Sequence, residues 1–246
     1  MGRILGGGAP SPRPVPTWGD GYARGMSDTL PMFPLNTVLF PGMSVPLQVF
    51  EDRYRALVHH LLRVEDPTER VFGSVGIREG YEVGEHGAQW LFRVGCRVKM
   101  TEVESHADGT FELVAVGLDR IELEHLDTTG AYPVGRVTPL AEQDVSVPDA
   151  VAETAQVTYE AYREALLQMD REPPSGGLPQ DPAYLSWALA ALSPLTIGQR
   201  QELLEAEDAE GRLRMVTDVL RGELRTMQVF PSLPATDIAR TRWSPN

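Results

Sequence analysis

Lysine and cysteine are almost missing from this chain of 246 residues, with Lys99 and Cys96 the single examples of each. One cysteine excludes an intrachain disulfide framework and a multi-cysteine metal site, and it fits a reducing cytoplasm. No apolar run approaches the ~18 residues that span a bilayer, and the amino terminus has no continuous apolar signal core. Basic residues number 22 against 35 acidic ones, a net charge of -13. That balance, with no run of lysine or arginine, works against nonspecific attraction to nucleic acid or anionic lipid. A phosphate-cradling GxxxxGK[ST] loop does not occur, which removes the commonest ATP-binding device.

What is present divides the chain in four. Residues 1–28 are rich in glycine and proline and read as a disordered tail. Met26, just upstream of the first patterned residues, is an alternative translation start; native mass spectrometry finding residues before it would refute that. Residues 29–140 carry mainly β signals. Val38 to Phe40 reads as a short buried strand, and Pro41-Gly42 as a turn. Val45, Leu47 and Val49 alternate with polar or proline positions as a second strand, and Tyr54, Leu57, Val58, Leu61 and Leu62 mark a helix from Asp52. Val71 to Ile77 is a short apolar segment, Gly80 to Gly87 a loop, and Val94, Cys96, Val98 and Met100 one face of a strand. Asp108-Gly109 signals a hairpin into Phe111 to Val116, after which Gly117 to Arg120 steps into the strand of Ile121 and Leu123.

Residues 141–230 change to helical period. Ser146 with Asp149 signals a cap for a long helix carrying Val151, Ala155, Tyr159, Tyr162, Leu166 and Met169. Asp181-Pro182 opens a second helix, Thr196 with Gln199 a third, and Asp208 a fourth bearing Leu213, Val216, Leu220, Leu224 and Met227. Residues 231–246 read as an irregular tail.

The stretch Leu30 to Tyr54, LPMFPLNTVLFPGMSVPLQVFEDRY, holds several fixed spacings: Leu30-Pro31, Pro34-Leu35, Val38, Phe40-Pro41-Gly42, Pro46-Leu47, Val49 and Arg53. It resembles the opening of the Lon protease amino-terminal, substrate-binding domain. Asp181-Pro182, Pro194, Gln201 to Leu204 and Gly211-Arg212-Leu213 are similar to the carboxy-terminal half of that domain, although Gly211 stands where an acidic residue is usual. The resemblance covers about Leu30 to Met227. It implies an α+β fold, a PUA-like, partly closed β-barrel with one inserted helix, followed by a four-helix bundle.

Lon proteases join this domain to an ATPase and a serine-lysine peptidase. The missing phosphate loop, and a lone lysine expected on a strand, leave neither engine a credible residue set. The chain is therefore expected to be a stand-alone, noncatalytic module without cofactor or metal, capturing apolar segments of unfolded or partly folded proteins, with a protease or protein client as partner. The alternatives are an adaptor for one folded protein and, against the charge, a PUA-like RNA binder.

Other candidate chemistry reads as structural. His59 and His60 are adjacent on a helix and point ~100° apart, unlike a zinc pair. His86, His106 and His125 are scattered. Cys96 lies on an apolar face, Gly73 to Gly76 is expected as a strand-end turn, and Glu122 with Glu124 and Glu202 to Asp208 as solvated carboxylates. Tyr159, Tyr162, Tyr184 and Trp187 are core or anchor aromatics. The expected contact residues are Met32, Phe33, Phe40, Met43, Tyr184 and Trp187, at the junction of barrel and helices.

Overall fold

The computed structural model describes residues 28–78, 90–143, 145–174 and 176–229. The two expected tails, apart from Asp28, and the glycine-rich loop with His86 lie outside these residues. Asp28 itself already belongs to β1.

Six strands, β1 (Asp28–Pro31), β2 (Ser44–Val49), β3 (Val71–Ile77), β4 (Leu91–Ser105), β5 (Phe111–Asp127) and β6 (Val134–Pro139), make one antiparallel sheet. The order is β1-β6-β5-β4-β3, and β2 pairs with β5 off this path. Strand β5 is long enough to be shared: β2 lies against its first half and β6 against its second, while β4 runs along its other side. Register shifts at Cys96/Val98 and Met100/Glu102 interrupt the β4–β5 ladder, and such bulges bend and twist a strand pair. The sheet is not closed. Past β1 the chain pairs with β3 through isolated bridges, Met32 to Gly73 and Leu35 to Gly76.

Two expectations fail locally. Residues 38–40 form no strand, because the segment between Pro34 and Pro41 runs between layers, Leu39 packing into the sheet core and Val38 and Phe40 into the helix-facing core. Gly117 does not divide β5. A Cβ there would overlap the Phe40 carbonyl oxygen, so glycine lets the two chains touch while the strand continues. Gly42, at φ 76°, supplies the positive φ that the Pro41-Gly42 turn requires.

Helix α1 (Asp52–Leu62) lays Tyr54, Leu57, Val58 and Leu61 on the sheet core. Four more follow: α2 (Asp149–Gln168), α3 (Pro182–Leu192), α4 (Ile197–Glu205) and α5 (Ala209–Val229). Side chains of α2, α3 and α5 share one core, whereas Leu203 and Leu204 of α4 join Phe40 and Trp187 instead. The expected four-helix bundle is thus three packed helices with α4 set against the sheet. Caps decide the helix starts. Asp181 accepts from the N–H groups of Ala183 and Tyr184, Thr196 and Gln199 close a reciprocal capping box, and Asp208 accepts from the Gly211 N–H at 2.7 Å. The Ser146–Asp149 cap does not form. Pro148 is the N-cap of α2 and carries no donor or acceptor side chain.

Candidate functional site

The sheet meets the helices across a junction built from arginines. Arg212 is fully buried. Its guanidinium stacks 3.5 Å from the Trp187 ring centre, its Nε donates to Ser186 Oγ at 3.0 Å, and its Nη2 donates to Glu142. Arg120, also buried, donates to the carbonyls of Leu204 (2.9 Å), Ala206 (2.6 Å) and Ala141 (3.1 Å), with Glu142 3.7 Å away. Leu204 and Ala206 end α4, where last-turn carbonyls lack helical partners and carry partial negative charge. Burial pushes both guanidinium pKa values down, and Glu142 opposes that fall. Arg200 donates to the Val38 carbonyl (3.2 Å) and lies over Phe40; Gln201 donates to the Val94 carbonyl (3.0 Å).

Four of the six expected contact residues are core, Phe40 and Trp187 at this junction and Met32 and Phe33 within the sheet. Met32 and Phe40 are 0% exposed, Phe33 2% and Trp187 8%. Phe33 stacks on Tyr54 at 4.2 Å and Phe40 lies 5.8 Å from Trp187. These side chains are buried in the cores, so a ligand surface on them is not available in this structure. Met43 is half-buried, its Sδ 3.4 Å from Arg200 Nη2, and Tyr184 is 38% exposed at the start of α3. Phe50, 45% exposed, was missed. Its signal is its place out of phase with Val45, Leu47 and Val49.

Near β2 the structure forms a cleft of about 520 Å³ lined by Pro46 to Gln48, Glu102 to Glu104 and Glu112 to Val114. The remaining polar candidates are engaged locally. Glu122 faces Arg93 (3.5 Å), and Glu124 meets Thr138 (2.5 Å) and Arg136 (3.4 Å). Glu205 accepts from Gln201 (2.7 Å). His59 packs edge-on to Phe111 and His60 against Tyr132. Among the described residues no group of three or more His, Cys, Asp or Glu could hold a metal ion. Gly73 to Gly76 lie inside β3 rather than at its end; a Cβ at Gly73 would press on Met32 Sδ at 2.5 Å. Cys96 is buried, and desolvation, aided by Asp119, pushes its thiol pKa well up. No helix among the described residues is long and apolar enough to cross a membrane.

This fold of an open antiparallel sheet and helices is similar to that of solved Lon amino-terminal domains. The chain resembles the Lon N-terminal domain protein from Xanthomonas campestris with a TM-score of 0.57 and 27% identity, covering 78% of this chain and 98% of that one. Against the N terminal domain of Mycobacterium avium complex Lon protease the TM-score is 0.57 at 21% identity, covering 79% and 98%, a likeness of fold alone. Residues 29–222 match the ATP-dependent protease La (LON) substrate-binding domain, and the chain belongs to that family. It is 28% identical over 206 residues to Lon protease 2 of Herpetosiphon aurantiacus, 81% of this chain and 24% of that protein. It is 25% identical over 213 residues to Lon protease of Escherichia coli strain K12, 81% and 25%. The chain spans about a quarter of the length of these curated relatives.

Proposed function

We propose that this chain is a noncatalytic recognition module of the cytoplasm that captures extended, apolar segments of unfolded or partly folded proteins. The observation that carries this reading is the match of residues 29–222 to a substrate-binding domain. Supporting it, the sequence has no phosphate loop, and its lone lysine, Lys99, pairs within the sheet opposite Val71 and Val116. The contact surface is drawn from apolar side chains left to solvent, Tyr184 and Phe50, with half-buried Met43. A segment burying about 400 Å² of apolar area gains roughly 10 kcal/mol at ~25 cal/mol per Å². Lost rigid-body freedom and ordering return about 4–15 kcal/mol. Binding is therefore weak, reversible and unable to drive unfolding.

Anisotropy with a dye-labelled, reduced and carboxymethylated protein measures this directly. Saturable binding to that unfolded chain, none to its native form, and a loss in Tyr184→Ala/Phe50→Ser are the expected results. Failure to bind the unfolded chain, with one stoichiometric folded partner recovered by crosslinked pull-down, would replace the reading with that of an adaptor.

A further inference from the structure

Among the described residues strand β2 pairs only with β5, which leaves its other edge a defined set of free backbone groups. Gly117 N–H donates to the Met43 carbonyl at 2.9 Å. Because the hydrogen-bonding side of an antiparallel strand alternates with period two, Val45, Leu47 and Val49 bond toward β5. Ser44, Pro46 and Gln48 point their backbone groups away from it. Pro46 agrees, since a residue without N–H is tolerated only where that N–H would face outward. Proline also blunts an edge against pairing, but here the N–H groups of Ser44 and Gln48 and three carbonyls remain.

Side chains next to this edge alternate in chemistry. Val45 and Leu47 are half-buried and lean on the sheet core, while Ser44, Pro46 and Gln48 are exposed. Cross-strand register sets Gln48 opposite Glu112 and Glu104, and Pro46 opposite Val114 and Glu102, so that face is the acidic cleft. Its charged and titratable neighbours are His106, 3.8 Å from Glu112, and Lys99, beside Val116 at the Ser44 end. Neighbouring strands lie about 4.8 Å apart, so a strand added to β2 sits two spacings from Glu112. A long cationic side chain covers that distance; a short one does not.

We infer that the free edge of β2 is a strand-addition site for an extended peptide in which apolar residues alternate with lysine or arginine. Backbone hydrogen bonds to Ser44 and Gln48 hold the segment. Its apolar residues continue the row of Val45 and Leu47, and its basic residues, flanking Pro46 and Gln48, reach Glu112 within the field of Glu102 and Glu104. This deepens the proposed capture of extended protein segments and rests on it.

The test is anisotropy on the full chain with three dye-labelled peptides: alternating valine and lysine, alternating valine and glutamate, and the valine–lysine composition in blocks. The alternating lysine peptide is expected to bind at least about tenfold more tightly than the other two, a difference of ~1.4 kcal/mol, and to weaken with salt. Gln48→Pro removes an outward N–H as Pro46 does, and is expected to preserve the fold by circular dichroism while abolishing this binding. Should that variant not fold, Glu102→Gln/Glu112→Gln is expected to erase the preference for lysine over glutamate. Equal binding of the peptides, or binding unchanged in a folded Gln48→Pro chain, overturns the strand-addition site. If the unfolded protein still binds, the broader recognition role survives. No binding of either peptide or unfolded protein overturns both. A concentration-dependent dimer lost in Gln48→Pro would show a second copy on this edge and overturn the inference as well.

Discussion

Glu142 is the carboxylate that meets two buried guanidiniums, and the cost of removing it follows from what is left behind. Arg212 and Arg120 are 0% and 4% exposed, and without Glu142 they retain carbonyl and hydroxyl acceptors, with Asp208 as a weaker countercharge to Arg212. Truncating one partner of a buried ion pair costs about 3–5 kcal/mol. Glu142 is itself about a third exposed, 34%, so water softens the loss and places Glu142→Ala near the lower end, about 3 kcal/mol. Arg212→Met is a milder change. It removes the charge together with its desolvation penalty and keeps an apolar stem against Trp187. The stack and the Ser186 hydrogen bond it forfeits are together worth about 1.5–3.5 kcal/mol, and the recovered desolvation offsets part of this. Urea unfolding at pH 7 should therefore rank Glu142→Ala as more destabilising than Arg212→Met, and the double variant should cost less than the sum of the two. Arg212→Met proving the more damaging, or the two effects simply adding, would refute charge compensation and leave packing as the role of Arg212.

Gly117→Ala should destabilise the fold by about 2 kcal/mol, because its Cβ meets the Phe40 backbone, which cannot swing away; unfolding curves within 0.5 kcal/mol of the parent would contradict this. Thr196→Ala opens the reciprocal cap of α4 and should cost about 1 kcal/mol in the same assay. The Cys96 thiol, buried and with its pKa pushed up chiefly by desolvation, should resist a thiol reagent until the chain unfolds, and rapid stoichiometric labelling of the native protein would be the contrary result. Asp66, Asp108 and Asp127 each accept from the N–H and the hydroxyl of the threonine two residues on, and these bonds hold all three carboxyls below the usual value of 3.8. Their folded-state pKa values are depressed, so the turns contribute in full above pH ~4 and the contribution fades as pH falls through the depressed values. Carboxyl NMR titration finding ordinary or raised values would exclude it.

The starts of α3 and α4 were readable from sequence because capping is local: Asp181-Pro182 and Thr196 with Gln199 carry their geometry within four residues. The pairing of β4 with β5 was readable in part, from alternation and from Asp108-Gly109. Layer-to-layer packing was not. Met32, Phe33 and Phe40 were expected at a contact surface, yet each packs into a different core, Met32 with Val75 and Ile121, Phe33 with Tyr54 and Phe40 with Trp187. The Gly117 to Arg120 step was visible only as spacing; its cause is a glycine clearing the Phe40 carbonyl and an arginine reaching acceptors 84 and 86 residues away. Rules that send charged residues to the surface hide Arg120 and Arg212 for the same reason, since their burial depends on partners far along the chain.

The inference therefore runs in opposite directions for core and surface. An apolar residue in phase with its element, such as Leu189 one turn after Leu185, is claimed by packing before any ligand can use it. One out of phase, such as Phe50 following Val49, is left 45% exposed. For a recognition domain it is the second kind, together with strand edges that proline blunts but does not close, that offers a partner free groups to bind.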